Sequence, residues 1–250
     1  SSHTWEYAMI DQAHRGPTIG EALLGEISDT SRVLFPVDGN TAVAALRDVY
    51  AGRGQLACLI VSKRDVENRF DAESAQRLIR DGAAHLIGNP ANAEVQLIAL
   101  GAYQLDEAIK AQQHLAELGK CACVTVVLEP GRLRIPRDAI EAEFVDDDVT
   151  VSTLFPSGLP RVIVTHTRPE PMLGILRRID SGPAKTRALG YISRGGTFDV
   201  PGMLFANRCT WAHVVDAAAT VAGWSREVLL DRAQRTAIDG IGDPSDLLSA

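Results

Sequence analysis

The 250-residue sequence holds no apolar run approaching the roughly 18 residues that a transmembrane helix needs. Ser1 to Trp5 is polar, and no basic segment leads into an apolar one as a signal peptide requires. Basic residues are in deficit: Lys and Arg total 25 against 32 Asp and Glu, a net charge of −7. That balance excludes broad binding to nucleic acid, whose phosphates need a basic patch, while leaving room for a local basic pocket around a small phosphate. Cysteine is scarce, with Cys58, Cys121, Cys123 and Cys209 only, and Cys121-Ala122-Cys123 lacks the C-x-x-C spacing of zinc knuckles and thioredoxins. Cys58 and Cys123 lie in apolar, strand-like runs, so reduced thiols in a cytoplasmic protein are expected. Glycine fingerprints for phosphate are missing as well. There is no G-x-x-x-x-G-K-[ST] and no G-x-S-x-G, and Gly195-Gly196-Thr197 reads as a surface turn without strand-turn-helix context.

What is present is a globular composition, 46% hydrophobic and 23% charged, in a repeated order of short apolar strand and amphipathic helix. Val33 to Val37 reads as a buried strand. Thr41 to Tyr50 follows as a helix, with Val43, Ala44, Leu46 and Tyr50 at helical spacing. Leu56 to Val61 is a second apolar strand. The runs lack polar alternation, as a parallel sheet buried on both faces requires. Residues 64–94 read as a linker carrying one helix, Ala72 to Leu86. A second series begins with the strand Val95 to Leu100, the helix Leu105 to Leu118 and the strand Cys123 to Leu128. The strand Arg161 to Thr165, a helix over Pro171 to Ile179 and a strand over Thr186 to Ile192 continue it. Two helices, Cys209 to Ala222 and Ser225 to Ile238, close the chain. The pattern implies an α/β fold of two lobes, with mostly parallel sheets flanked by helices and the first lobe incomplete, because two strands are too few to bury a sheet on both faces.

Few side chains stand out for chemistry. The acidic run from Glu141 to Asp148 contains three adjacent aspartates and reads as a solvated turn in preference to a cation site. His85 and His114 fall on expected helices as surface positions. His166 follows a strand, at the carboxyl end where open α/β sheets bind ligands. Lys63, directly after the strand Leu56 to Val61, sits where a cation can hold a phosphate; by position alone it fits a solubilising strand-end lysine equally well.

Phe35-Pro-Val-Asp-Gly-Asn-Thr-Ala-Val-Ala-Ala45 resembles the R-P-A-D-x-N-E-T stretch of transketolase pyrimidine-binding domains, and Leu59-Ile-Val-Ser-Lys-Arg64 resembles the strand end that follows it. Ser2-His3-x-Trp5, His14 and Pro17 match the phosphoketolase pattern S-H-x-W…H-x-x-P. Gly190-Tyr191, Gly195, Met203, Asn207 and His213 fall at the spacing of a phosphoketolase C-terminal segment. Val95 to Val127 is similar to the opening βαβ unit of the transketolase C-terminal domain. One departure is plain: Tyr7, Ala8, Met9 and Ile10 stand where phosphoketolases carry the polar quartet Q-D-H-N, and an apolar stretch cannot supply those hydrogen bonds.

The resemblance implies the C-terminal part, or one subunit, of an enzyme that uses thiamine diphosphate and Mg²⁺ on ketose phosphates such as xylulose 5-phosphate. Residues 1–63 would be a partial pyrimidine-binding domain, 64–94 a linker with a helix, and 95–250 a transketolase C-terminal-like domain. Lys63 would contact the substrate phosphate and His14 would belong to an active-site loop, with Gly190 to His213 as framework. No G-D-G…N metal motif occurs; Asp239-Gly240 lacks strand context. The chain alone is therefore expected to bind no cofactor, to be inactive by itself, and to associate as a homodimer or with a missing N-terminal segment or partner subunit. No membrane or nucleic acid is expected as partner. The alternative is a non-catalytic transketolase-like module for assembly or regulation.

Overall fold

Two largely apolar runs, Val95–Leu100 and Ala122–Val127, form adjacent parallel strands at the heart of a five-stranded sheet, which explains why neither shows polar alternation. The structure, a computed structural model, describes residues 4–6, 16–192 and 198–248. Helix α1 (Thr18–Gly25) leads to strand β1 (Ser31–Leu34), helix α2 (Gly39–Ala51) and strand β2 (Leu56–Leu59), with β1 and β2 paired in parallel as a small sheet. Then come α3 (Ala72–Asp81), β3 (Ala83–Ile87), β4 (Val95–Leu100), α4 (Ala102–Glu117) and β5 (Ala122–Val127). The remainder is α5 (Asp148–Leu154), β6 (Arg161–Thr165), α6 (Pro169–Ile175), β7 (Thr186–Leu189), α7 (Val200–Ala206), α8 (Trp211–Ala222), α9 (Arg226–Leu229) and α10 (Arg232–Ile238). The large sheet has the order β3-β5-β4-β6-β7 and is parallel except for β3, which runs antiparallel to β5. The chain is thus α/β, with mostly parallel sheets flanked by helices.

Strand alternation distributes the core. Leu97 and Ala99 of β4 join Leu105 and Leu115 of α4 and Val215 of α8 on one face, while Ile98 and Leu100 join Leu24, Phe35, Met172 and Leu176 on the other. The small sheet has no separate core. Leu34, Val37, Ala44 and Ala45 pack into the first cluster, Val33 and Phe35 into the second. The Phe35 amide donates to the Leu128 carbonyl at 2.8 Å, and the Arg32 guanidinium forks onto Glu129 at 2.7 and 2.8 Å. These contacts seat the small sheet against the chain that leaves β5.

Several local expectations change. Helix α3 stops at Asp81 because Gly82 turns left-handed at φ 69°, and the chain re-enters as β3. His85 is therefore a strand residue, its Nδ1 2.9 Å from the Thr125 hydroxyl. His114 is half-buried on α4, its Nε2 2.7 Å from the Leu229 carbonyl and its ring against Trp211. The helix expected over Ser225 to Ile238 is broken at Leu230, and Asp231 caps α10 with a reciprocal Gln234 contact. On α2, Val43, Leu46 and Tyr50 face outward, with Tyr50 85% exposed, whereas Thr41, Ala44 and Ala45 are buried. Among the described residues β2 pairs with β1 alone, and with Leu56 54% exposed it is not a strand buried on both faces. The acidic run is not a solvated turn throughout. Glu141 is buried, Asp146 is buried against Arg132, and Asp147 and Asp148 are exposed, the first capping α5 and the second paired with Arg178. Of the cysteines, Cys123 and Cys209 are buried, Cys58 is half-buried and Cys121 is exposed, all free thiols. Gly195 to Thr197 lies outside the described residues.

His213 carries a pH signature. Burial, followed by the nearby Arg208 and Arg226 charges, pushes its imidazole down from 6.5 to about 4. The unfolded chain takes up that proton near pH 6.5 and the folded chain refuses it until about 4, so its contribution is complete above pH 6.5 and drains away as pH falls toward 4. Urea unfolding should show this group costing up to about 3 kcal/mol across the window. The His213→Gln variant should show a shallower pH slope than the parent; equal slopes would refute the assignment.

Candidate functional site

The carboxyl ends of β1, β2, β4 and β6 meet on one side of the molecule, and the chain around Trp5 lies across them. Asp38 organises the first turn. Its Oδ1 accepts from the Thr41 amide and hydroxyl, both at 2.7 Å, and its Oδ2 accepts from the Arg69 and Phe70 amides at 2.8 and 2.9 Å. With four donors on two oxygens, Asp38 is a structural knot with no lone pair left for a proton transfer. It caps α2 and ties residues 69–70 back over the strand ends. A cleft of about 230 Å³ results, lined by Val37, Asp38, Gly39, Ser62, Arg64 and Asn68 among others.

The opposite wall includes Ser62 and Arg64, on the turn Ser62-Lys63-Arg64. The Lys63 amide donates to both Glu6 carboxylate oxygens, at 2.7 and 2.9 Å, and the Arg64 amide reaches Oε1 at 3.4 Å. The Ser62 hydroxyl makes a short contact to the same oxygen, and the Tyr103 phenol donates to it at 3.0 Å. Burial, with the Glu6 charge adding to it, pushes the Tyr103 phenol up to about 12, so it stays a donor at neutral pH. Among the described residues, neither the Lys63 ammonium nor the Arg64 guanidinium is paired, and both side chains are exposed.

A buried aromatic hub anchors this arrangement. Trp5 is fully buried; its indole N–H donates to the His166 carbonyl at 2.9 Å, and its ring meets His166 and Tyr191 edge-on. The Thr4 amide donates to His166 Nε2 at 3.3 Å, and the His166 ring packs on Phe35. Gly190 precedes Tyr191 because a Cβ there would stand 2.3 Å from the Thr167 carbonyl. Asn207 accepts the Ile192 amide at 2.7 Å and donates to Met203. Gly190, Tyr191 and Asn207 thus make framework contacts.

Of the two residues singled out for binding, Lys63 falls between Ser62 and Arg64, which line the cleft, without lining it itself, and His14 lies outside the described residues, as do Tyr7 to Ile10. Sequence reading overlooked Glu6, Arg64 and Tyr103. Arg64 neighbours Lys63, and Tyr103 opens the helix after β4, the position that follows a strand's carboxyl end; Glu6 carried no signal, since its partners at this turn and on α4 are 56 residues distant or more. Among the described residues, no three His, Cys, Asp or Glu side chains converge to hold a metal, and no helix is long and apolar enough to cross a membrane.

This arrangement belongs to a known type of fold. The chain superposes on the transketolase from Leishmania mexicana with a TM-score of 0.66 at 17% identity, covering 89% of this chain and 30% of that one. It superposes on a Pichia stipitis transketolase solved with xylulose 5-phosphate with a TM-score of 0.64 at 16% identity, over 89% and 29% of the two chains. A split-gene transketolase described as an inactive β4 tetramer matches with a TM-score of 0.55 at 16% identity, over 78% of this chain and 59% of that one. In sequence, residues 1–51 match the family of D-xylulose 5-phosphate/D-fructose 6-phosphate phosphoketolases. A probable phosphoketolase from Lactococcus lactis is 28% identical over 168 residues, which is 61% of this chain and 20% of that protein. The chain is therefore transketolase-like in fold and phosphoketolase-like in sequence, and it spans about a fifth of the length of the curated relative it matches.

Proposed function

We propose that this chain is the C-terminal portion, or a subunit, of a thiamine-diphosphate-dependent enzyme acting on ketose phosphates such as xylulose 5-phosphate. Its share is the grip on the substrate phosphate. The observation that carries the reading is the strand-end turn Ser62-Lys63-Arg64, whose amides already hold an anion while two unpaired cations flank it, in a chain whose sequence matches phosphoketolases. His14 is proposed as an active-site-loop residue on the strength of the same match. Residues 1–63 are read as part of a pyrimidine-binding domain, 64–94 as a linker with a helix, and 95–250 as the C-terminal domain; β3 of the linker adds to the sheet of the last segment.

The described residues do not fit the cofactor's metal, for want of a converging donor set. On this reading the diphosphate and Mg²⁺ are held by polypeptide outside the chain, and the chain's residues bind and orient sugar phosphate. Calorimetry of the chain alone with thiamine diphosphate and Mg²⁺ should show no micromolar binding; such binding would contradict the division of labour. Association is the second expectation. Val43, Leu46 and Tyr50 form an outward apolar stripe on α2, and Leu56 of β2 is exposed as well. Light scattering should find a homodimer or a complex with a partner segment. A clean monomer at high concentration would count against it.

A further inference from the structure

The turn after β2 binds an anion, and the anion it holds is the protein's own Glu6. Two successive amides, of Lys63 and Arg64, with the Ser62 hydroxyl and the Tyr103 phenol, all donate to that one carboxylate. Successive backbone N–H groups at a turn form a concavity suited to oxyanions, and charge-assisted bonds of this kind are roughly twice as strong as neutral ones. Glu6 is also held there by its neighbour, since Trp5 is fully buried and bonded to the His166 carbonyl. A carboxylate fixed in this way competes as an intramolecular ligand, at the high effective concentration that a short tether confers.

We propose that Glu6 is a tethered occupant of a phosphate site formed by Ser62, Lys63, Arg64 and Tyr103, and that phosphate or a phosphomonoester enters by displacing it. This deepens the functional reading above and rests on it for the class of ligand. A phosphate dianion offers the same acceptor geometry as the carboxylate with a further oxygen and more charge. The unpaired Lys63 and Arg64 side chains can answer that charge, and Glu6 leaves them unused. A ligand that must displace an occupant pays in apparent affinity in proportion to the fraction of sites free. If Glu6 holds about nine sites in ten, its removal tightens phosphate binding about tenfold.

The test is calorimetric titration of the whole protein with inorganic phosphate and, separately, with xylulose 5-phosphate. Glu6→Ala should bind tenfold tighter than the parent, Glu6→Gln should gain in the same direction, and adding Ser62→Ala or Lys63→Ala should erase the gain. Near-ultraviolet circular dichroism, which reports the Trp5 environment, identifies any variant that has lost its fold; Glu6→Gln keeps the shape of the side chain should Glu6→Ala fail. A gain for either ligand supports the site and assigns its source, free phosphate or a sugar-borne group. Folded Glu6 variants with unchanged affinity, or a gain that survives Ser62→Ala, would overturn it. The broader reading fails differently, through a Lys63→Ala enzyme with an unchanged KM for the phosphorylated sugar. A Glu6→Ala gain for inorganic phosphate with Lys63 in place, beside that unchanged KM, would keep the anion site and remove the sugar-phosphate role.

Discussion

Replacing Lys63 with alanine should raise the KM for a phosphorylated ketose about tenfold to a hundredfold in the complete enzyme, while a non-phosphorylated ketose should barely register the change. The size follows from losing one hydrogen bond to a charged group, about 1.5–3 kcal/mol, at about 1.4 kcal/mol per tenfold. The structure supplies the reason to expect a binding effect. The Lys63 ammonium is exposed and has no partner among the described residues, and its neighbours Ser62 and Arg64 line the strand-end cleft. A change confined to KM would mark uniform binding of the phosphate through ground and transition states. If Lys63 only solubilises the strand end, KM for the phosphorylated sugar stays where it was. Arg64, which does line the cleft, then becomes the residue to vary.

A second large effect is expected in stability. Arg161 opens β6 at 2% exposure, with no ion pair to a carboxylate among the described residues. Its guanidinium donates to Gln96 Oε1 at 3.2 Å, to the Ile179 carbonyl at 2.7 Å, to the Ser181 hydroxyl and to the Pro156 carbonyl. One side chain thus gathers three segments onto the amino end of the sheet's centre. Arg161→Met preserves much of the volume and strands buried acceptors. It should cost about 3–5 kcal/mol, a large part of the roughly 5–15 kcal/mol that holds a domain together. Arg161→Lys should recover only part, because an ammonium cannot replace a five-donor fork. Equilibrium urea denaturation measures both; a loss below about 1 kcal/mol for Arg161→Met would show that water replaces the guanidinium.

Much of the fold was legible because the central strands have one environment. β4, β5 and β6 are buried on both faces, and a continuous apolar run has few other meanings. β2 misled for the same reason: Leu56 to Leu59 is as apolar as a central strand, yet Leu56 is exposed and the rest only half-buried. Composition reports what a segment can tolerate, and its neighbours decide what it receives. α2 shows the point more sharply, since alanines and a capping threonine face the core while Val43, Leu46 and Tyr50 face out. The end of α3 at Asp81 was there to be read in Gly82, but the apolar residues beyond it fit a helix and a strand equally.

One residue near the candidate cleft stood out in the sequence. Lys63 stood out because a strand's carboxyl end is a place fixed by local pattern. Asp38 stood in a matched stretch, but its four donors come from residues 3 to 32 positions away, and only the fold shows that they consume it as a cap. Glu6 was invisible, as a carboxylate whose meaning depends on amides 57 and 58 residues downstream.

The most direct test of the account is turnover by the whole protein, with whatever polypeptide co-purifies, in the presence of thiamine diphosphate and Mg²⁺. Consumption of xylulose 5-phosphate is followed beside that of xylulose. The account predicts cofactor-dependent consumption of the phosphorylated sugar with a kcat/KM at least tenfold above that of xylulose, a margin that Lys63→Ala largely abolishes. A cofactor-loaded assembly that consumes the two sugars equally, or neither, would contradict it.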